Sequence, residues 1–262
     1  MESIDVVSSE KKVTGSGIFL GQKGSSFSVD YNSENSIGSL EFKFSSKSKV
    51  KVNKKELVNL IGKEFKELIP DAISKSIKLN QIKLQFSKTN KKLESVELKL
   101  TAFKNWSVFS KGNFELHNIK IDLETSNPTD KKKRKYKGIL TGETSVGGKE
   151  VTLASELTQK KESLKLSAEL GKISFQKGVN DLIGNKVFDG ISIPDKLIKL
   201  DLNESKITIA PNQKWITLDA TSNFGLVDIY VHQGQKKKKS KTGYLITITT
   251  PEATNCHLFA IV

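Results

Sequence analysis

The sequence predicts a β-rich α+β fold in which two tandem units of antiparallel strands, about six each, carry one amphipathic helix apiece, packed on the sheet. Two observations predict it. The stretch LVNLIGKEFKELIPD (Leu57 to Asp71) returns as VNDLIGNKVFDGISIPD (Val179 to Asp195), with Leu60 and Leu182 offset by 122 and Pro70 and Pro194 by 124. Outside these stretches apolar residues recur with period two, and lysine often takes the alternate position.

The first unit is expected over residues 1–130. Gly15 to Tyr31 reads as a hairpin with a glycine-containing turn, and Leu40, Phe42 and Phe44 as the next strand. A helix is expected over 53–69, because Leu57, Leu60, Ile61, Phe65 and Leu68 share one helical face. Asn53 and Glu56 suit a capping box there, and Pro70 stops the helix. Three strands follow, marked by Leu84 and Phe86, by Val96, Leu98 and Leu100, and by Ile119, Ile121 and Leu123. The period slips between Leu79 and Ile82 and between Leu116 and Ile119, as a bulge or a strand end would make it do.

The second unit is expected over residues 131–262. Tyr136 to Ser155 repeats the opening hairpin, Leu164, Leu166 and Ala168 mark a strand, and a helix is expected over 177–191 from Val179, Leu182, Ile183, Val187 and Ile191. Residues 243–262 read as the opening hairpin of a third unit.

Composition narrows the function. At 36% hydrophobic residues the chain can bury a core without disulfides, and Cys256 is its sole cysteine. The first residues lack the apolar stretch of a signal peptide and no apolar run is long enough for a membrane span, so the expectation is an intracellular, cytoplasmic protein or a component of an assembled particle such as a virion. The formal net charge is +14, and Arg134 is the sole arginine among 43 basic residues. Lysine is a hydrated point charge without the bidentate fork that reads guanine, so non-specific attraction to nucleic acid or an anionic surface is expected rather than sequence reading. Lys131, Lys132, Lys133, Arg134 and Lys135 recur in the repeat as Lys236, Lys237, Lys238 and Lys239, and these nine are the polyanion-binding candidates. No aromatic residue interleaves with either run, which argues against a single-strand stacking platform.

No catalytic or metal-binding residues and no cofactor are expected. His117, His232 and His257 are not equivalent in the repeat and lack zinc-site spacing. Successive strand residues point to opposite faces, so Cys256 and His257 cannot pair as nucleophile and base. The segment Gly142 to Glu150 departs from a phosphate-binding loop at Glu143 and Glu150 and reads as a simple turn. Asp122 and Glu124 share a strand face with Lys120 beside them and read as solvated surface.

The helix ending in Ile-Pro, the strands IKLNQIKLQF and LESVELKLTA and an aromatic turn at Trp106 or Phe224 resemble the β-rich tandem repeats of very large proteins of unassigned function. The same pattern is similar to repeating β-groove lipid-transfer proteins, a likeness that implies a lipid-binding groove. Neither likeness implies particular site residues.

The leading expectation is a non-enzymatic structural or self-assembly protein, partnered with itself through strand edges. His257, Leu258, Phe259, Ala260, Ile261 and Val262 are the candidates for closure or assembly, because a partial third unit leaves strand edges to cover. A polyanion- or anionic-membrane-binding module using the lysine loops is the alternative.

Overall fold

A computed structural model describes residues 12–19, 22–34, 36–44, 50–52, 55–57, 69–71, 73–109, 114–157, 164–184, 199–236, 239–249 and 255–261. The fold is β-rich, built on a large antiparallel sheet. Its strands are β1 (Lys12–Phe19), β2 (Gln22–Glu34), β3 (Ile37–Phe44), β4 (Lys51–Val52), β5 (Ile77–Ser87), β6 (Leu93–Ala102), β7 (Trp106–Ser107) and β8 (Glu115–Ser126). They continue with β9 (Lys135–Val146), β10 (Lys149–Glu156), β11 (Leu166–Ser174), β12 (Asp201–Ala210), β13 (Trp215–Ser222), β14 (Gly225–Lys236), β15 (Lys239–Thr249) and β16 (Asn255–Ile261). Residues 55–57 are helical, and α1 spans Phe175–Ile183.

Contacts divide the chain into two compact units. The first comprises Met1–Lys104, Asn118–Leu140 and Glu156–Lys161, and the second Asn105–His117, Thr141–Ser155 and Glu162–Val262.

In the first unit the hydrogen-bonded order is β1-β2-β3-β5-β6-β8, with β4 on β5. Alternation sends one row of each strand inward, so Leu79, Leu98, Leu100, Ile119 and Ile121 are all buried. Leu57 from the helical residues and Ile69 and Ile73 from the following turn are buried as well. The rest of the helix expected over 53–69 lies outside the described residues. Beyond Pro70 the chain turns tightly, its carbonyl accepting from the Ile73 and Ser74 amides at 3.2 and 3.1 Å. The register of β5 on β6 shifts between Leu79 and Gln81, so the first slip in period is a bulge. At the second slip Asn118 takes a φ of 47°, a left-handed conformation that asparagine tolerates better than most residues.

In the second unit the order is β10-β11-β12-β13-β14-β15-β16. Ile207, Ile209, Ile216, Leu218, Val227, Ile229, Val231 and Ile246 form its buried row. The β9–β10 hairpin closes through Gly147 and Gly148, with φ of 64° and 79°. Two central residues of positive φ are what a type I′ turn requires, and they match the twist of the flanking strands. The segment that fails as a phosphate-binding loop is thus a hairpin turn between strands.

Of the helix expected over 177–191 the described part is α1, which begins at Phe175 and runs to Ile183; the expected span from residue 185 onward lies outside the described residues. Ser174 caps its start, its side chain accepting from the Lys177 amide, and Gly184 ends it at a φ of 108° while its N–H donates to the Asn180 carbonyl at 2.8 Å. That φ is costly for any residue with a Cβ, so glycine terminates the helix where apolar spacing alone would carry it onward. Val187 and Ile191 lie outside the described residues. Phe175, Gly178, Val179 and Leu182 form the buried face of α1. A Cβ at Gly178 would stand 3.3 Å from both Ile173 and Leu218, so the helix lies directly on the sheet there.

No described helix is long and apolar enough to cross a membrane.

Candidate functional site

The first basic run forms the turn between β8 and β9, in the first unit. Asp130 organises it: its Oδ1 accepts from the Lys132 and Lys133 amides at 2.9 and 3.3 Å, and its carbonyl accepts from the Lys133 and Arg134 amides at 3.2 and 2.9 Å. An aspartate that bonds its own backbone two residues on is a standard turn former. Lys131, Lys132 and Lys133 are consequently held as an exposed basic turn, and Lys135 is exposed at the start of β9. Arg134 is set apart from its neighbours. Its guanidinium folds back, donating to the Pro128 carbonyl and to the Tyr136 hydroxyl, the latter at 3.3 Å. It is a fastener of the turn, and the exposed charge of the turn is all lysine.

Of the second run, Lys236 ends β14 and Lys239 begins β15, in the second unit. Lys236 and Lys239 face each other in register, and Lys237 and Lys238 lie outside the described residues. In the C-terminal segment His257, Leu258, Phe259, Ala260 and Ile261 belong to β16, whose register on β15 runs from Gly243↔Ile261 to Thr249↔Asn255. Val262 lies outside the described residues. Among the described residues β16 pairs with β15 alone.

One cluster escaped sequence reasoning. The β13–β14 register brings Trp215 opposite His232 and Thr217 opposite Tyr230. Trp215 and Tyr230 rings lie 6.3 Å apart, tilted by 37°, and Tyr230 and His232 rings lie 6.2 Å apart and within 5° of parallel. Lys165 Nζ sits 5.4 Å from the Trp215 ring centroid, and the indole N–H donates to Gln213 Oε1 at 2.7 Å. Tyr230 is 38% exposed and His232 is exposed. The sole advance signal is the turn at Ser222–Gly225, which pairs positions far apart in sequence once its register is known.

The next row of this face carries Asp219 directly opposite Asp228. Asp219 is exposed, but partial desolvation of its carboxyl, and then the neighbouring charge of Asp228, raises it above its ordinary pKa, against weaker opposing effects of the Thr217 hydroxyl and Lys206.

The second unit also contains an open polar cleft of about 360 Å³, lined by residues that include Asn105, Glu115, His117, Thr144, Asn180 and Asp181. His117 Nε2 lies 3.4 Å from Glu150 Oε2, and Asp181 Oδ2 accepts from the Gly148 amide at 3.3 Å. Hydrogen bonds from Ser107 first and Asn105 second hold the Glu115 carboxyl below the usual carboxylate range. Glu115 accepts one hydrogen bond at each carboxylate oxygen, and Glu150 is exposed. Among the described residues no three His, Cys, Asp or Glu side chains are grouped to hold a metal ion.

Comparisons with protein-family models, with curated proteins and with solved structures gave no match.

Proposed function

We propose that this chain is a non-enzymatic polyanion-binding protein, engaging its ligand through lysine-rich turns between strands. The observation that carries this reading is the β8–β9 turn, where Asp130 presents Lys131, Lys132 and Lys133 to solvent while Arg134 is occupied internally. The Cα atoms of three consecutive residues span at most about 7.6 Å, close to the Debye length of about 8 Å at physiological ionic strength, so a polyanion meets their charges as one patch. A formal net charge of +14 adds a long-range field of the same sign. Because lysine contributes point charge without bidentate reading, the ligand is selected by charge density rather than by base sequence.

The test replaces Lys131, Lys132 and Lys133 with serine. On a single-stranded oligonucleotide each lost phosphate contact reduces the slope of log K against log salt by about 0.7, hence by about 2 for three. Between 50 and 200 mM salt the unmodified chain should therefore lose roughly 20-fold more affinity than the variant. Arg134→Ala is the control: it should loosen the turn while leaving the slope in place. Identical slopes for the triple variant and the unmodified chain would refute the role of this turn.

A second reading is self-assembly by strand addition, favoured by the one-sided pairing of β16. Light-scattering mass across a concentration series tests it, and a constant monomer mass would exclude it.

A further inference from the structure

We infer that the Trp215–Tyr230–His232 cluster on the solvent face of β13 and β14 is a stacking platform for the bases of a single-stranded nucleic acid. The inference rests on the polyanion-binding reading and names the class of polyanion.

Ring geometry is the first argument. Cross-strand pairing fixes Trp215 opposite His232, and period two places Tyr230 and His232 on the same side of β14. Both rings of that pair are held parallel, at 6.2 Å, and the indole's polar edge is already satisfied by Gln213. What the cluster offers a ligand is therefore π surface, which every base can use whatever its hydrogen-bonding edge. The inward row of the same strands, with Ile216, Leu218, Ile229 and Val231, supplies the core, so the aromatic row on the solvent face is open to a ligand.

Charge is the second argument. Lys165 Nζ lies over one face of the Trp215 ring, 5.4 Å from its centroid, where its ammonium can meet the phosphate of a base stacked on the neighbouring ring surface. At the other end of the platform Asp219 and Asp228 repel phosphate, which bars the strand from that row and gives the site a direction. Beyond His232, β14 runs on to Lys236, four residues or roughly 13 Å further along the strand. A nucleic-acid strand stacked over Tyr230 therefore has its backbone directed away from the acidic row and toward Lys165. A duplex cannot use the platform, because its bases are already stacked on one another.

The experiment uses the full chain and three probes at matched salt: a twenty-nucleotide oligothymidylate, a duplex of the same length, and heparin, which is a polyanion without bases. Trp106 is buried and Trp215 is not, so quenching of tryptophan fluorescence on binding reports on Trp215. Oligothymidylate should quench the unmodified chain, and by anisotropy of a dye-labelled oligothymidylate, which does not depend on tryptophan, Tyr230→Thr and Trp215→Thr should each weaken its binding on the order of ten- to a hundred-fold. Heparin affinity should stay unchanged, which also certifies that the variants fold, and Trp215→Tyr should restore most of the loss. Oligothymidylate binding that survives both threonine substitutions, or that is matched by the duplex, would overturn the platform while leaving polyanion binding intact. Failure of all three probes to bind would overturn both.

Discussion

Gly147 and Gly148 occupy the same two-residue turn and both have positive φ, yet they should respond differently to alanine. At either site alanine is forced into the left-handed region, which costs about 1–2 kcal/mol. At Gly148 the added Cβ would meet only the end of the Lys177 side chain, with Cδ at 3.4 Å and Nζ at 3.6 Å, and this flexible chain can move aside. At Gly147 it would stand 2.7 Å from Ile173 Cβ and 3.0 Å from Cγ2, atoms fixed by the β11 backbone. Displacing a packed β-branched residue adds about 1–3 kcal/mol. Gly147→Ala should therefore cost about 2–5 kcal/mol and Gly148→Ala about 1–2 kcal/mol. Urea unfolding followed by tryptophan fluorescence is the assay, since Trp106 and Trp215 both belong to the second unit, as does this turn. Equal midpoints for the two alanine variants would refute the packing of the β9–β10 turn against Ile173.

Two further outcomes follow from buried and paired polar groups. Thr125 is fully buried on β8 and its Oγ1 has no hydrogen-bond partner among the described residues, so Thr125→Val should stabilise the first unit by about 1–2 kcal/mol and raise its melting temperature; a fall would contradict that environment. Asp219 has a folded-state pKa raised chiefly by partial desolvation and secondarily by Asp228, so the folded state holds its proton more tightly than the unfolded chain. Stability from this group is therefore present below the unfolded carboxylate pKa and is lost as pH rises through the raised value. Asp219→Asn should make the protein more stable than the unmodified chain at pH 7, with the gain vanishing as pH falls below the carboxylate range, and a gain that persists in acid would contradict the assignment.

The strands that were legible each carry a local signal, whereas β12 and β13 were not marked in advance. Period-two apolar rows put Leu98 and Leu100, or Ile119, Ile121 and Leu123, on the buried face, and slips in that period marked the bulge beside Leu79 and the left-handed Asn118. In the second helix the apolar face of Val179 and Leu182 was legible, while the cap at Gly184 was not, because it depends on a backbone angle that spacing does not encode. At the basic run, charge was legible but its division was not. Arg134 reads as one more cation until the turn folds its guanidinium onto Pro128 and Tyr136. The aromatic cluster was hidden for a different reason: Trp215 and Tyr230 become neighbours only through hairpin register, so a search for aromatics between lysines in the sequence could not find it.

The salt dependence of binding tests the central claim most directly. Affinity of the unmodified full chain for oligothymidylate and for heparin, titrated from 50 to 200 mM salt, should fall linearly on a log–log plot with a negative slope for both. Affinity that does not change across this range, or no association with either polyanion at 50 mM, would contradict it.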